Sequence, residues 1–141
     1  MSLQQKKVVF KEFISTYFDL LEFMNKHSNN NLTFKKFYYK NYLLKKTNIK
    51  LFIVKWYQNI TLNYYKPIID GNLDFFLEKD YQTELNNHKE LNNDYNIGDF
   101  ISYFKNIYSN IENKLITNVI KKIQSLTQLS FLYFNIDKNN I

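Results

Sequence analysis

Residues 99–133 read DFISYFKNIYSNIENKLITNVIKKIQSLTQLSFLY, a stretch with neither glycine nor proline. Ile101, Phe104, Tyr108, Ile111, Leu115, Val119, Ile123 and Leu126 recur at intervals of three and four, the spacing that puts side chains on one face of an α-helix. The pattern predicts a long helix capped by Asp99, whose carboxylate can accept from first-turn N–H groups. Unbroken to about residue 133, it would be about 50 Å long at ~1.5 Å per residue. A small domain does not cover that length, so the sequence predicts either a kink near Ser125–Thr127 or a partner along the apolar stripe. The helix reads as the central strut of the domain, packed by the first three helices; otherwise Ile101, Phe104, Tyr108, Ile111 and Leu115, which approximate a heptad, are the predicted interaction face. Asn118 and Lys122 then interrupt the repeat, which argues against a long regular coiled coil.

The chain upstream carries the same period. Over residues 4–26, Phe10, Phe13, Ile14, Tyr17, Leu20, Leu21 and Met24 share a face, with Lys7, Lys11, Glu12, Glu22 and Lys26 around the rest. Asn29-Asn30-Asn31 ends this segment as a polar loop. A second helix is predicted from Thr33 as its cap, carrying Phe34, Phe37, Tyr38, Tyr42 and Leu44. A third follows Thr47-Asn48, with Ile49, Phe52, Ile53, Trp56, Tyr57, Ile60 and Tyr64 in register, and Pro67 is expected to stop it. Ile68–Asn72 reads as a tight connection in which Gly71 is free to take positive φ. A short helix over Leu73–Glu78 with Asn72 as cap is predicted next. The Asn-rich stretch 80–97 reads as a polar connection with a weak helix around Thr83–Leu91, and residues 135–141 read as a frayed tail. The expectation is one all-α domain over 1–141, a bundle of about four to six helices ending in a long one.

Composition narrows what such a bundle does. The chain holds no alanine, arginine or cysteine, and its Asn, Lys, Ile, Phe and Tyr residues make up more than half of it. Codons for those five are rich in A and T, so the composition points to an AT-rich genome, and the net charge of +6 partly reflects the same bias. Without cysteine there is no disulfide, no Cys-ligated zinc, no iron–sulfur cluster and no thiol nucleophile. The opening MSLQQKKVVFKEF lacks the apolar core and small-residue cleavage site of a signal peptide. No uncharged apolar run approaches the ~18 residues a bilayer requires. These features predict an intracellular protein that is not secreted and has no membrane span.

Catalytic chemistry is poorly supplied. His27 and His88 are the only histidines, and neither belongs to a nucleophile–base–acid arrangement. Two isolated glycines beside a single Pro67 cannot write a phosphate-binding loop or a dinucleotide fingerprint. Asp80, Glu84 and His88 would share a helical face at four-residue spacing, a geometry that could hold a divalent cation, but a solvated polar face near Lys79 and Lys89 is the reading preferred. Asp70, Asn72 and Asp74 resemble the start of a calcium loop, but Phe75 and Tyr81 stand where it needs glycine and a bidentate acid. A non-enzymatic protein with no cofactor and no metal is the expectation.

The most distinctive local chemistry is TFKKFYYKNYLLKKTNIKLFIVKWY, residues 33–57, where seven lysines interleave with aromatics. Lys35, Lys36, Lys40, Lys45, Lys46, Lys50 and Lys55 could follow a phosphate backbone while Tyr39 stacks on bases. Alternatively the aromatics line buried helix faces and the lysines their wet faces, as the spacing already explains. Tyr38 and Tyr39 are adjacent, so at least one points outward, which also suits a protein contact.

The segments KTNIKLFIVKWYQNIT and YYKPIIDGNLDFFLEKDY, within residues 35–82, resemble small proteins of nucleocytoplasmic large DNA viruses. That resemblance implies an intracellular replication site, in host cytoplasm or virion, and a particle assembled from many small components. The leading expectation is therefore a virion or virus-factory component acting through a protein partner or self-association. The alternative is a non-specific nucleic-acid-binding protein using the Lys/aromatic surface of 33–57.

Overall fold

The computed structural model describes residues 3–74 and 95–135, which fold as an all-α bundle. Six α-helices are present among them: α1 (Leu3–Lys26), α2 (Leu32–Thr47), α3 (Lys50–Trp56), α4 (Leu62–Ile69), α5 (Ile97–Asn110) and α6 (Asn113–Asn135). A π-helical turn, Tyr57–Thr61, joins α3 to α4 without a break, so these three pieces act as one bent rod. The short helix expected at Leu73–Glu78 lies outside the described residues beyond Asp74, as do the weak helix at Thr83–Leu91, the trio Asp80, Glu84 and His88, and tail residues 136–141. At the edge of that region the Asn72 Oδ1 accepts from the Asp74 backbone N–H at 2.9 Å.

α1 forms where its apolar period predicts. Phe13, Ile14, Tyr17, Leu20, Leu21 and Met24 are all buried, joined by Phe18. After the helix the chain turns through Asn29 and Asn30, which adopt positive φ, 55° and 59°, a conformation asparagine tolerates better than most residues. The cap of α2 is Asn31 rather than the expected Thr33. Asn31 is extended, and its Oδ1 accepts from the Phe34 N–H at 3.0 Å, so the helix starts two residues early.

Pro67 does not stop the third helix as its missing N–H suggests; it lies inside α4. The reason is a kink at Tyr64 (φ −134°, ψ 18°), three residues earlier, which leaves Pro67 in the first turn after the bend. A first-turn residue has no intrahelical partner for its N–H, so the ring costs little there. The stop falls at Gly71 (φ 83°), where Gly71 N–H donates to the Ile68 carbonyl at 2.9 Å and Asn72 N–H to the Pro67 carbonyl at 2.8 Å. That pair is a Schellman closure, which needs the left-handed residue that glycine supplies.

The long C-terminal helix is two helices. Asn96, not Asp99, caps the first: its Oδ1 accepts from the Gly98 and Asp99 N–H groups at 2.9 and 3.2 Å. The break falls at Ile111, extended at φ −83° and ψ 159°, instead of near Ser125–Thr127. Side chains before it draw on the backbone: Ser109 Oγ donates to the Lys105 carbonyl and Asn110 Nδ2 to the Asn106 carbonyl. Such bonds favour helix ends over helix interiors. α6 then continues through Ser125–Thr127 unbroken.

α6 packs chiefly on α1, and also on α3, the π turn and α4. Trp56 is fully buried at the centre, edge-on to Phe13 at 6.2 Å and to Phe100 at 5.5 Å. Truncating a ring in such a position costs roughly 3–5 kcal/mol. Between the rod and α6 run buried polar pairs. Trp56 Nε1 donates to Thr127 Oγ1 at 3.3 Å, and the hydroxyls of Thr61 and Ser130 are 2.6 Å apart. Thr127 and Ser130 pass their own protons to the carbonyls of Ile123 and Thr127, so no hydroxyl there is left unpaired.

Candidate functional site

α2 is the helix whose outward face carries the most unusual chemistry. Its sequence, LTFKKFYYKNYLLKKT, contains five lysines and no acid. The inward face is set by Phe34, Phe37, Asn41 and Leu44, all buried against the bundle. At 3.6 residues per turn, Leu32, Tyr39 and Leu43 then fall within about 40° of one another on the opposite side. They are 76%, 66% and 62% exposed, an apolar stripe facing solvent. Lys35 and Lys46 flank it on one side, Lys36 and Lys40 on the other. The residues that fix this orientation are packed from both neighbouring sides. Phe34 and Phe37 each sit 5.3 Å from Tyr103 of α5, while Tyr38 and Tyr42 both donate to Glu22 of α1, the latter at 2.7 Å.

The lysines singled out by the sequence do not gather in one patch. Lys36 and Lys40 border a recess of about 240 Å³ together with Asp99 and Tyr103 of α5. Lys45 turns toward α1, its Nζ 4.7 Å from the Phe18 ring centroid and 5.9 Å from that of Tyr42. Lys50 begins α3 and lines a separate groove with Lys6, Lys7 and Lys11 of α1. Lys55 is half-buried on α3. Only Lys35, Lys36, Lys40 and Lys46 therefore surround the exposed Tyr39. This is a direct consequence of helix geometry, because lysines at successive and five-apart positions turn about 100° and 140° around the axis rather than falling along one line.

The predicted interaction face on α5 also changes character. Ile101 and Phe104 are buried in the core, so they hold the bundle together and are not available to a partner. Tyr108, Ile111 and Leu115 are half-buried, and the break at Ile111 separates Leu115 from the others onto α6. The break at Ile111 redirects the chain in the middle of the repeat, so the five residues do not form one continuous stripe.

Beneath α2 lies an extended buried polar network. The Tyr17 hydroxyl is 2.6 Å from Asn41 Oδ1 and 2.8 Å from the Tyr95 hydroxyl, and Asn41 Nδ2 donates to the Phe37 carbonyl at 2.7 Å. Asn41 Oδ1 can only accept, so Tyr17 donates to it and receives from Tyr95. Burial raises the pKa of both phenols, which remain neutral donors rather than reactive phenolates. Sequence reasoning missed this network, because nothing local marks Asn41 as buried. Among the described residues no three His, Asp or Glu side chains group as cation ligands, and no helix is long and apolar enough to cross a membrane.

No protein-family model, curated protein or solved structure matches this chain.

Proposed function

We propose that this protein is a non-catalytic docking component whose α2 outer face holds a protein partner. The observation that carries the reading is the solvent-facing stripe of Leu32, Tyr39 and Leu43 between two rows of lysine. Three large apolar groups at that exposure gain by burial, roughly 25 cal/mol per Å² of apolar surface covered. The lysine rows demand acids opposite them. The fitting partner presents a helix or groove with aliphatic or aromatic anchors ringed by Asp and Glu. A second copy of this chain fits poorly through this face, since lysine rows would oppose lysine rows. With the viral resemblance of residues 35–82, the role proposed is a structural component of a virus particle or factory.

A nucleic-acid reading is favoured by one specific feature, the exposed ring of Tyr39 among Lys35, Lys36, Lys40 and Lys46. The two are separated by fluorescence anisotropy with a labelled acidic Glu/Leu helical peptide and with labelled single- and double-stranded oligonucleotides, at about 50 and about 200 mM salt. Docking predicts that the peptide binds and that Leu32→Ser with Leu43→Ser weakens it at least about tenfold. Oligonucleotide binding that falls steeply with salt, disappears in Lys36→Glu with Lys40→Glu and survives the leucine changes would establish the nucleic-acid reading instead. Binding of neither probe would end the assignment of α2 as the working face.

A further inference from the structure

At the N-terminal end of α1 the bundle opens into a groove of about 830 Å³ to which no α2 residue contributes. Its apolar lining is Leu3 and Phe10, seven residues apart on one face of α1, together with Val8 and with Tyr133 from the last turns of α6. Its rim is basic: Lys6, Lys7 and Lys11 of α1 and Lys50 at the start of α3, with no acid among the lining residues. The volume lies in the range of small-molecule sites, roughly 300–1,000 Å³. Leu3 and Val8 are 72% and 53% exposed, so aliphatic surface stands open beside four ammonium groups.

Which ligand fits is decided by what the lining lacks. The aromatic rings are already engaged: Phe10 packs on Tyr133 at 5.7 Å, Tyr133 on Phe134 at 5.0 Å, and Lys6 Nζ lies 4.8 Å over the Tyr133 ring. A nucleobase would find no free ring to stack on. Ammonium groups donate and cannot accept, and only the Gln4 amide and the Tyr133 hydroxyl offer side-chain acceptors. A peptide backbone laid here would bring N–H groups that this lining cannot satisfy. The complement is a molecule whose polar end only accepts hydrogen bonds and whose remainder is aliphatic.

We infer that this groove binds a single-chain anionic amphiphile, an aliphatic tail headed by a carboxylate or a similar acid. The tail lies along Leu3, Phe10 and Tyr133, and the head sits among Lys7, Lys11 and Lys50. This site is independent of the docking face on α2, and a ligand here would leave that face open.

Titration of the full chain with a dansyl-labelled long-chain fatty acid tests the site, with dodecanoate and dodecanol as competitors. The expected result is saturable one-to-one binding, displaced by dodecanoate and far less by dodecanol. Lys7→Glu with Lys11→Glu should weaken it at least about tenfold, and Leu3→Ser should weaken it as well. Those lysines are exposed, so circular dichroism of the double variant should match the wild type. Absence of probe binding, equal displacement by the alcohol, or unchanged affinity in the lysine variant each overturns the inference. So does binding seen only on anionic vesicles, which is adsorption to a membrane surface. Displacement of the probe by the acidic helical peptide, retained after Leu32→Ser with Leu43→Ser, would make this a peptide groove.

Discussion

Tyr17 is surrounded by the rings of Phe13, Phe18, Phe52, Tyr95 and Phe100, yet it ends in a hydroxyl that must be paired. Its bonds to Asn41 and Tyr95 resolve that conflict and tie α1, α2 and the start of α5 together through side chains far apart in sequence. Tyr17→Phe keeps the ring packing but strips Asn41 Oδ1 and the Tyr95 hydroxyl of their partner. A buried polar group left unpaired costs about 1–3 kcal/mol, so urea denaturation should show a loss of that size. Tyr39→Phe, the same chemical change on an exposed ring, should stay within about 0.5 kcal/mol of wild type. Equal effects would mean that the buried network contributes nothing specific.

At the scale of the elements, periodicity located the helices better than it located their ends. The apolar faces of α1 and α2 followed from three- and four-residue spacing, because burial of one stripe is what makes a short helix stable. Caps and breaks depend on one side chain reaching one N–H, and Asn31 and Asn96 reach where Thr33 and Asp99 do not. The break at Ile111 was invisible because a regular apolar repeat reports a face and says nothing about backbone continuity. Pro67 misled for the opposite reason: its local rule holds, but the kink at Tyr64 had already placed it in a first turn. Gly71 was legible, since a left-handed closure has one favoured residue. Gly71→Ala tests it. A Cβ there meets only Gln124 Nε2 at an ordinary 3.9 Å, so the cost is conformational alone. Thermal unfolding should register a loss of about 1–2 kcal/mol. Gln124→Ala, which removes the side chain donating to the Ile68 and Ile69 carbonyls at 3.1 Å, should weaken the same helix end.

For the whole molecule, the aromatic core sets a limit on the alkaline side. Burial raises the Tyr17 and Tyr95 pKa above the ordinary 10.0, so the folded state keeps both protonated where an unfolded chain would release protons. With raised folded values, their contribution is fully present below about pH 10 and is lost as pH climbs above it. The part of the tyrosinate absorbance that Tyr17→Phe and Tyr95→Phe remove should therefore appear together with the change in emission of Trp56, the only tryptophan, in one cooperative alkaline transition. Ionisation of Tyr17 and Tyr95 while Trp56 stays buried would show that burial does not hold their protons.

The sequence by itself determined that this chain is all-α, which faces of its helices are apolar, and that cysteine chemistry is closed to it. These are local or compositional properties, readable from spacing and from what is missing. Only the tertiary structure decided which lysines share a surface, that Ile101 and Phe104 belong to the core, and that Leu32, Tyr39 and Leu43 stand outside it. It alone brought Lys50 beside Lys6, Lys7 and Lys11 across more than thirty residues of chain. The rotation of each helix about its axis is fixed by the neighbours that bury its stripe, and no short window of sequence contains those neighbours.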